Sequence, residues 1–171
     1  MNPLLAFHYG SHPDHRDRTL AEILKQDDFW LEVTHDYIQW LFPLREMSRV
    51  NLHAPLVDNK TAAAFRGDEL LRSHLLASYQ RMLAFFGLRR LPDGEVVKSP
   101  AWDERKREWF THDSHNSLRI TRMLKSLALL GLEEEARAFQ RALAGLCASE
   151  KDCQVNKTSQ AFWREAVPGD N

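Results

Sequence analysis

Residues 114–131 read SHNSLRITRMLKSLALLG, and wound as a helix this stretch is apolar almost all the way round. Leu118, Met123, Leu129 and Leu130 flank one stripe, while Ile120, Leu124 and Leu127 cover the far side. A helix of that kind belongs at the centre of a fold, with other helices packed on it. The stripe itself carries His115, Arg119, Arg122 and Ser126 at spacings of four, three and four, which places them on one helical face. Arginines in a central helix must either meet buried acids or line a cleft.

Other segments supply the packing partners. Leu71, Leu75, Tyr79, Met82 and Phe86 follow helical spacing behind the capping residue Asp68, and Gly87 stands where a left-handed C-terminal residue belongs. Leu132, Ala136, Phe139, Leu143 and Leu146 make a second clean stripe. Helices are expected at 69–86, 115–130 and 133–147. Shorter ones are expected at 17–25 with Asp17 as cap, from 27 or 28 to 40 or 41, and at 102–111, with a short Ala-rich turn capped by Thr61. Residues 43–60 and 88–100 read as loops, the second with a brief hairpin around Val96 and Val97. Only seven glycines are present, and Leu and Ala outnumber Val and Ile, a bias toward helices over sheets. The expected fold is all-α: one multi-helix domain over 17–165, with long connecting loops and at most a minor β-hairpin. An irregular segment is expected at 1–16, an aromatic tail of Phe162 and Trp163 folding back onto the body, and a frayed end at 166–171.

The formal net charge is −1, from 23 basic and 24 acidic residues, so no whole-protein field draws nucleic acid or an anionic membrane. The basic groups at 89–90 and 105–107 read as solvated faces, the latter flanked by Glu104 and Glu108. No stretch reaches the roughly 18 apolar residues of a membrane span. The start, MNPLLAFHYG, lacks a basic leader and a long apolar run. The expectation is an intracellular, soluble and cytoplasmic protein with reduced thiols at Cys147 and Cys153; a bridge between them is the alternative.

The stretch THDYIQWLFP, 34–43, raises the question of a site. On one continuous helix Phe29, Val33, Asp36 and Trp40 share a face, so Asp36 falls inside an apolar stripe and needs a cation. The central stripe offers Arg119 or Arg122. The structural reading is a fork-like ion pair between two core helices. The functional reading is a cleft for a carboxylate or phosphate group, with Asp36, His115, Arg119, Arg122, Tyr37 and Trp40 as candidate ligand contacts. No glycine-rich phosphate loop supports a nucleotide. His8, His12 and His15 straddle Gly10 and Pro13, and neither HExxH nor CxxC occurs, so surface histidines and no metal or other cofactor are expected. No GxSxG elbow occurs, and Ser114 reads as a helix cap rather than a nucleophile.

HDYIQWLFPLRE (35–46), SYQRMLAFFGL (78–88) and HNSLRITRMLKSLALLGL (115–132), with AFHYG and RTLAEIL near the start, resemble the conserved region of the opioid growth factor receptor family. The resemblance spans roughly 4–165. It implies a mostly helical domain, peptide binding and a nuclear association, since the family's named member is a receptor for an enkephalin-type peptide that restrains growth. FFG stands where FYG is common, and the repeat-bearing tail of animal members has no counterpart, which implies a short, tail-less member. The function expected is a non-catalytic module that binds a peptide or protein partner, with a small anion at the arginine stripe. The alternative is an enzyme with an acid/base cleft around Asp36, Arg119 and Arg122.

Overall fold

Asp68 accepts the amide protons of Leu70 and Leu71 and starts α6, Glu69–Phe85, the longest run of expected helix on the N-terminal side. The computed structural model describes residues 1–112 and 114–169. Ten helices and one hairpin make up the described residues, so the fold is all-α. Leu71, Leu75, Tyr79 and Met82 are all fully buried. Gly87 ends α6 at φ +78, where a Cβ would lie 2.8 Å from the Trp102 Cα.

The chain next pairs β1, Leu88–Arg90, with β2, Val96–Lys98, antiparallel, with Arg89 opposite Val97. Then come α7, Trp102–Trp109, α8, Asn116–Leu129, α9, Glu133–Ser149, and α10, Lys157–Glu165. The central position expected for α8 holds: it packs against α7, α9 and α10, with Ile120, Met123, Leu124 and Leu127 fully buried. Leu118, however, is 71% exposed. The N-cap of α8 is His115, without a side-chain capping bond, rather than the expected Ser114, whose hydroxyl accepts the Asn116 amide from one residue further out. Trp109 joins the helices in a cluster of edge contacts with Phe86 and Trp102. Of the aromatic tail, Trp163 is buried and donates its indole proton to the Ser117 carbonyl at 3.1 Å, whereas Phe162 is exposed.

Several N-terminal expectations need correction. Residues 1–16 are not wholly irregular: Pro3–His8 forms α1, capped by the Asn2 side chain. Thr19, not Asp17, caps α2, Leu20–Leu24, through a reciprocal capping box with Glu22. The Ala-rich turn is a full helix, α5, Asn59–Gly67, and its cap is Asp58 rather than Thr61. At the other end Ala166 and Val167 are buried, so the body continues past 165. Asp170 and Asn171, in the expected frayed end, lie outside the described residues.

The largest correction is at 27–41. Instead of one helix there are two, α3, Asp28–Val33, and α4, Ile38–Leu41, separated by extended backbone that begins at Thr34. In a continuous helix the Leu31, Glu32 and Thr34 carbonyls would accept from the amides four residues on. Here the Arg119 guanidinium donates to these carbonyls in place of the amides, with the Tyr37 hydroxyl as a second donor to Leu31 O. Because the helix breaks, Phe29 and Val33 turn outward and are exposed, while Trp40 is buried.

Candidate functional site

The polar stripe of α8 meets the ends of the two short helices rung by rung. Arg119 Nη1 donates to Leu31 O at 2.8 Å, and Nη2 donates to Thr34 O at 2.8 Å. Longer contacts reach Asn116 Oδ1 and Glu32 O. The guanidinium also lies over the Tyr37 ring, 5.5 Å from its centroid. One turn further, Arg122 Nη1 donates to Phe42 O at 3.1 Å, and Ser126 Oγ donates to Pro43 O at 2.8 Å. Phe42 is the C-cap of α4. Both arginines therefore sit at helix C-termini, where unpaired carbonyls and the helix dipole favour a cation.

Asp36 takes no part in this. Its carboxylate accepts from Arg18 Nη1 at 2.9 Å and Arg16 Nε at 3.1 Å, and His15 Nε2 stands 3.6 Å away. Burial would raise its pKa, but the hydrogen bonds and charge of Arg18, with Arg16, hold it below the usual carboxylate value. The expected pairing of Asp36 with Arg119 or Arg122 is thus replaced by a network within the N-terminal third, in which Arg18 also binds the buried Asp14. The cause is the helix break, which rotates Asp36 away from the face it would share with Val33. Trp40 is also committed elsewhere: its indole donates to His15 Nδ1 at 3.0 Å, and the two rings stack. Tyr37 is fully buried beneath Arg119, and burial raises its pKa.

Among the six candidate contacts, His115, Arg119 and Arg122 converge on one groove of about 540 Å³, and Asp36, Tyr37 and Trp40 do not line it. The acid and the two arginines of the alternative reading therefore do not share a cleft. The groove lies between α8 and a strap at 44–50, with His35 and His115 at one end. Those two rings meet edge to face at 5.0 Å. Desolvation, aided by the Arg119 charge, lowers the His35 pKa, while His115 Nε2 contacts Glu32 Oε1 at 2.8 Å.

The strap is fastened by buried polar groups. Ser48 Oγ accepts the Asn51 amide, and Asn51 Nδ2 donates to Gln39 Oε1 and to the Asp36 carbonyl. Gln39 in turn donates to His35 O, and Val57 closes the loop onto Leu44 O. Sequence reasoning missed these residues and the strap positions Met47, Arg49 and Val50, which form the second wall. Their signal was faint, since a loop of mixed polarity has no period to read.

Arg122 differs from Arg119 in its satisfaction. Its one hydrogen bond among the described residues is to Phe42 O, and no carboxylate among them lies within ion-pair distance. Burial pushes its pKa below the ordinary arginine value, and Glu46 offsets this only in part. None of the groove's lining residues is acidic.

A second groove, about 670 Å³, separates α9 from α10 and includes Cys147 and Trp163. Arg141 on its rim is already paired with Glu95 at 2.5 Å. Cys147 and Cys153 are free thiols; burial and its contact with Cys153 push the Cys147 thiol up to about 12. Of the N-terminal histidines, His12 is exposed as expected, whereas His8 and His15 are not surface groups. His8 is fully buried and donates Nε2–H to Trp40 O, and His15 lies between Trp40 and His53. Among the described residues no three His, Cys, Asp or Glu side chains converge as a metal site, and no helix is long and apolar enough to cross a membrane.

Comparison with known proteins places these features. The mouse opioid growth factor receptor is 46% identical over 106 residues, covering 60% of this chain and 16% of the relative. The human receptor is 43% identical over 104 residues, 60% of this chain and 15% of the relative. Mouse opioid growth factor receptor-like protein 1 is 44% identical over 105 residues, 60% and 22% respectively. The chain thus spans about a fifth or less of the length of these relatives. No solved structure matches it. The model of the opioid growth factor receptor conserved region matches residues 9–167, nearly the whole chain, and the chain belongs to that family.

Proposed function

We propose that this chain is a non-catalytic recognition module that binds a peptide or protein segment in the groove between α8 and the 44–50 strap. The observation that carries this reading is Arg122, a partly buried cation with one carbonyl partner, facing a groove with no acidic wall. A desolvated cation without a counter-charge is costly to keep unless a partner completes it. Relatives named receptors support a binding role, and the resemblance to them makes a peptide the natural ligand class. Exposed Val50 and Leu118 on opposite banks provide the apolar contact that a recognition surface needs.

A displayed random-peptide library selected on the wild-type chain tests the proposal. Selected peptides should lose about ten-fold or more in affinity, about 1.4 kcal/mol, against Leu118→Ser and Val50→Ser. Both positions are exposed, so the fold survives either change. Peptides that bind wild type and both variants equally would place recognition outside this groove.

A further inference from the structure

The groove does not stop at Arg122. Leu44 and Lys125 also belong to a second depression of about 360 Å³, which runs on past Arg45 and Arg66 to Leu129. The two depressions share these walls and form one trough along α8. From Leu118 to Leu129 the helix rises by roughly 16 Å, at about 1.5 Å per residue. An extended chain covers that distance in about five residues. A simple anion would occupy one end of such a trough and leave the rest empty.

The chemistry changes along it. At the end nearer His115 the banks are apolar, with Met47 69%, Val50 83% and Leu118 71% exposed. In the middle stand Arg122, Arg49 and Lys125, and none of these three makes an ion pair within 4 Å among the described residues. Acidic walls, Glu46 and Glu133, appear only in the second depression, and Glu133 is already bound by Arg137.

Resting on the groove reading above, we infer that the occupant is an extended peptide segment of about five residues with one carboxylate side chain near its middle. The carboxylate docks between Arg122 and Lys125, and an apolar side chain before or after it sits between Val50 and Leu118. Charge complementarity selects the acid: a carboxylate accepts the guanidinium N–H groups that Phe42 O leaves unused, and the low-polarity walls strengthen that bond. The length of the trough selects a peptide over a free anion.

Two synthetic peptide pools test this. Both are seven residues long with capped ends and randomised apolar neighbours; the fixed central residue is Glu in one and Gln in the other. Binding is followed by backbone and arginine side-chain NMR shifts of the full chain. The Glu pool should bind at least about ten-fold tighter than the Gln pool, with the preference shrinking as salt rises. Arg122→Met should abolish the preference, and Lys125→Gln, at an exposed position, should reduce it without disturbing the fold. Equal binding of both pools, still sensitive to Leu118→Ser, would overturn the acid-anchor inference and leave the groove reading intact. A third pool with Glu between glycines and serines should bind about ten-fold more weakly than the apolar Glu pool. If it binds equally, the site takes a bare anion and the peptide inference fails. Binding by no pool would overturn this inference and remove support from the groove reading as well.

Discussion

Replacing Arg119 with methionine isolates the guanidinium, because methionine keeps most of the apolar stem. The side chain is 4% exposed, and two of its bonds are well formed, both at 2.8 Å, to Leu31 O and Thr34 O. Hydrogen bonds to a charged group contribute about 1.5–3 kcal/mol each, so two amount to roughly 3–6 kcal/mol. Methionine recovers part of the cost of burying the charge, and the Tyr37 hydroxyl still satisfies Leu31 O. The expected net loss is about 3–4 kcal/mol. For a chain of this size each kcal/mol lowers Tm by about 2–4 °C, so the drop should be roughly 6–16 °C. Urea unfolding with an unchanged m-value, beside a thermal melt, measures it. Arg122→Met provides the internal control. It removes one bond of 3.1 Å and a cation already desolvated without a carboxylate, so its cost should stay within about 1 kcal/mol. If Arg119→Met is as mild as Arg122→Met, the carbonyl-capping account of the α3–α4 break is wrong.

Further expectations follow from other parts of the fold. Asp36→Asn should couple to Arg18→Met by about 1 kcal/mol in a double-mutant cycle and be additive with Arg122→Met within about 0.5 kcal/mol; coupling to Arg122 instead would restore the core ion pair. The buried His8, with its pKa lowered from 6.5 to about 4 by desolvation, is neutral at pH 7 and must remain neutral to stay folded. Its effect is therefore absent above pH 6.5 and removes about 3 kcal/mol of stability as pH falls from 6.5 to about 4. An NMR titration of the His8 ring with a midpoint near 6.5 would refute this. Gly87→Ala should cost at least about 2 kcal/mol, since the Cβ meets the Trp102 backbone at 2.8 Å in a left-handed conformation. Gly10→Ala, at φ +80 with open space around the Cβ, should cost only about 1 kcal/mol, and equal costs by denaturant melt would remove the steric explanation.

What could be read from sequence divides along physical lines. The helices α6, α8 and α9 were legible because long apolar stripes and a cap at Asp68 leave few alternatives. The hairpin was partly legible from Val96, Val97 and Gly94. The break after Val33 was not, because residues 28–41 keep helical spacing throughout. What ends α3 is a guanidinium from a helix more than eighty residues away in the chain, and local propensity carries no trace of such a competitor. The same blindness misplaced Asp36. Its need for a cation was inferred correctly, but the face it occupies depended on the helix that does not form, so Arg16 and Arg18 went unconsidered. The strap wall of the groove was hidden for a related reason: Ser48, Asn51 and Gln39 hold it by side-chain bonds across the fold, which leave no sequence period.

The stripe on α8 also explains why the groove lies where it does. Arg119, Arg122 and Ser126 each receive carbonyls from the segment that runs past them, in the order Leu31 to Thr34, Phe42 and Pro43. At the first rung a six-residue helix ends and the backbone turns away in extended form, exposing several carbonyls to one guanidinium. At the second, α4 has only four residues and Pro43 follows its C-cap Phe42, so one carbonyl is within reach. Arg122 thus has fewer backbone acceptors than Arg119 although both stand on the same face. The strap then leaves α4 and turns back beside α8, keeping that under-satisfied cation partly covered yet open to the trough. A side chain saturated by backbone, like Arg119, can only hold the fold together. The one left short of acceptors at the next turn retains unused N–H groups, which is the basis of the recognition role proposed for Arg122.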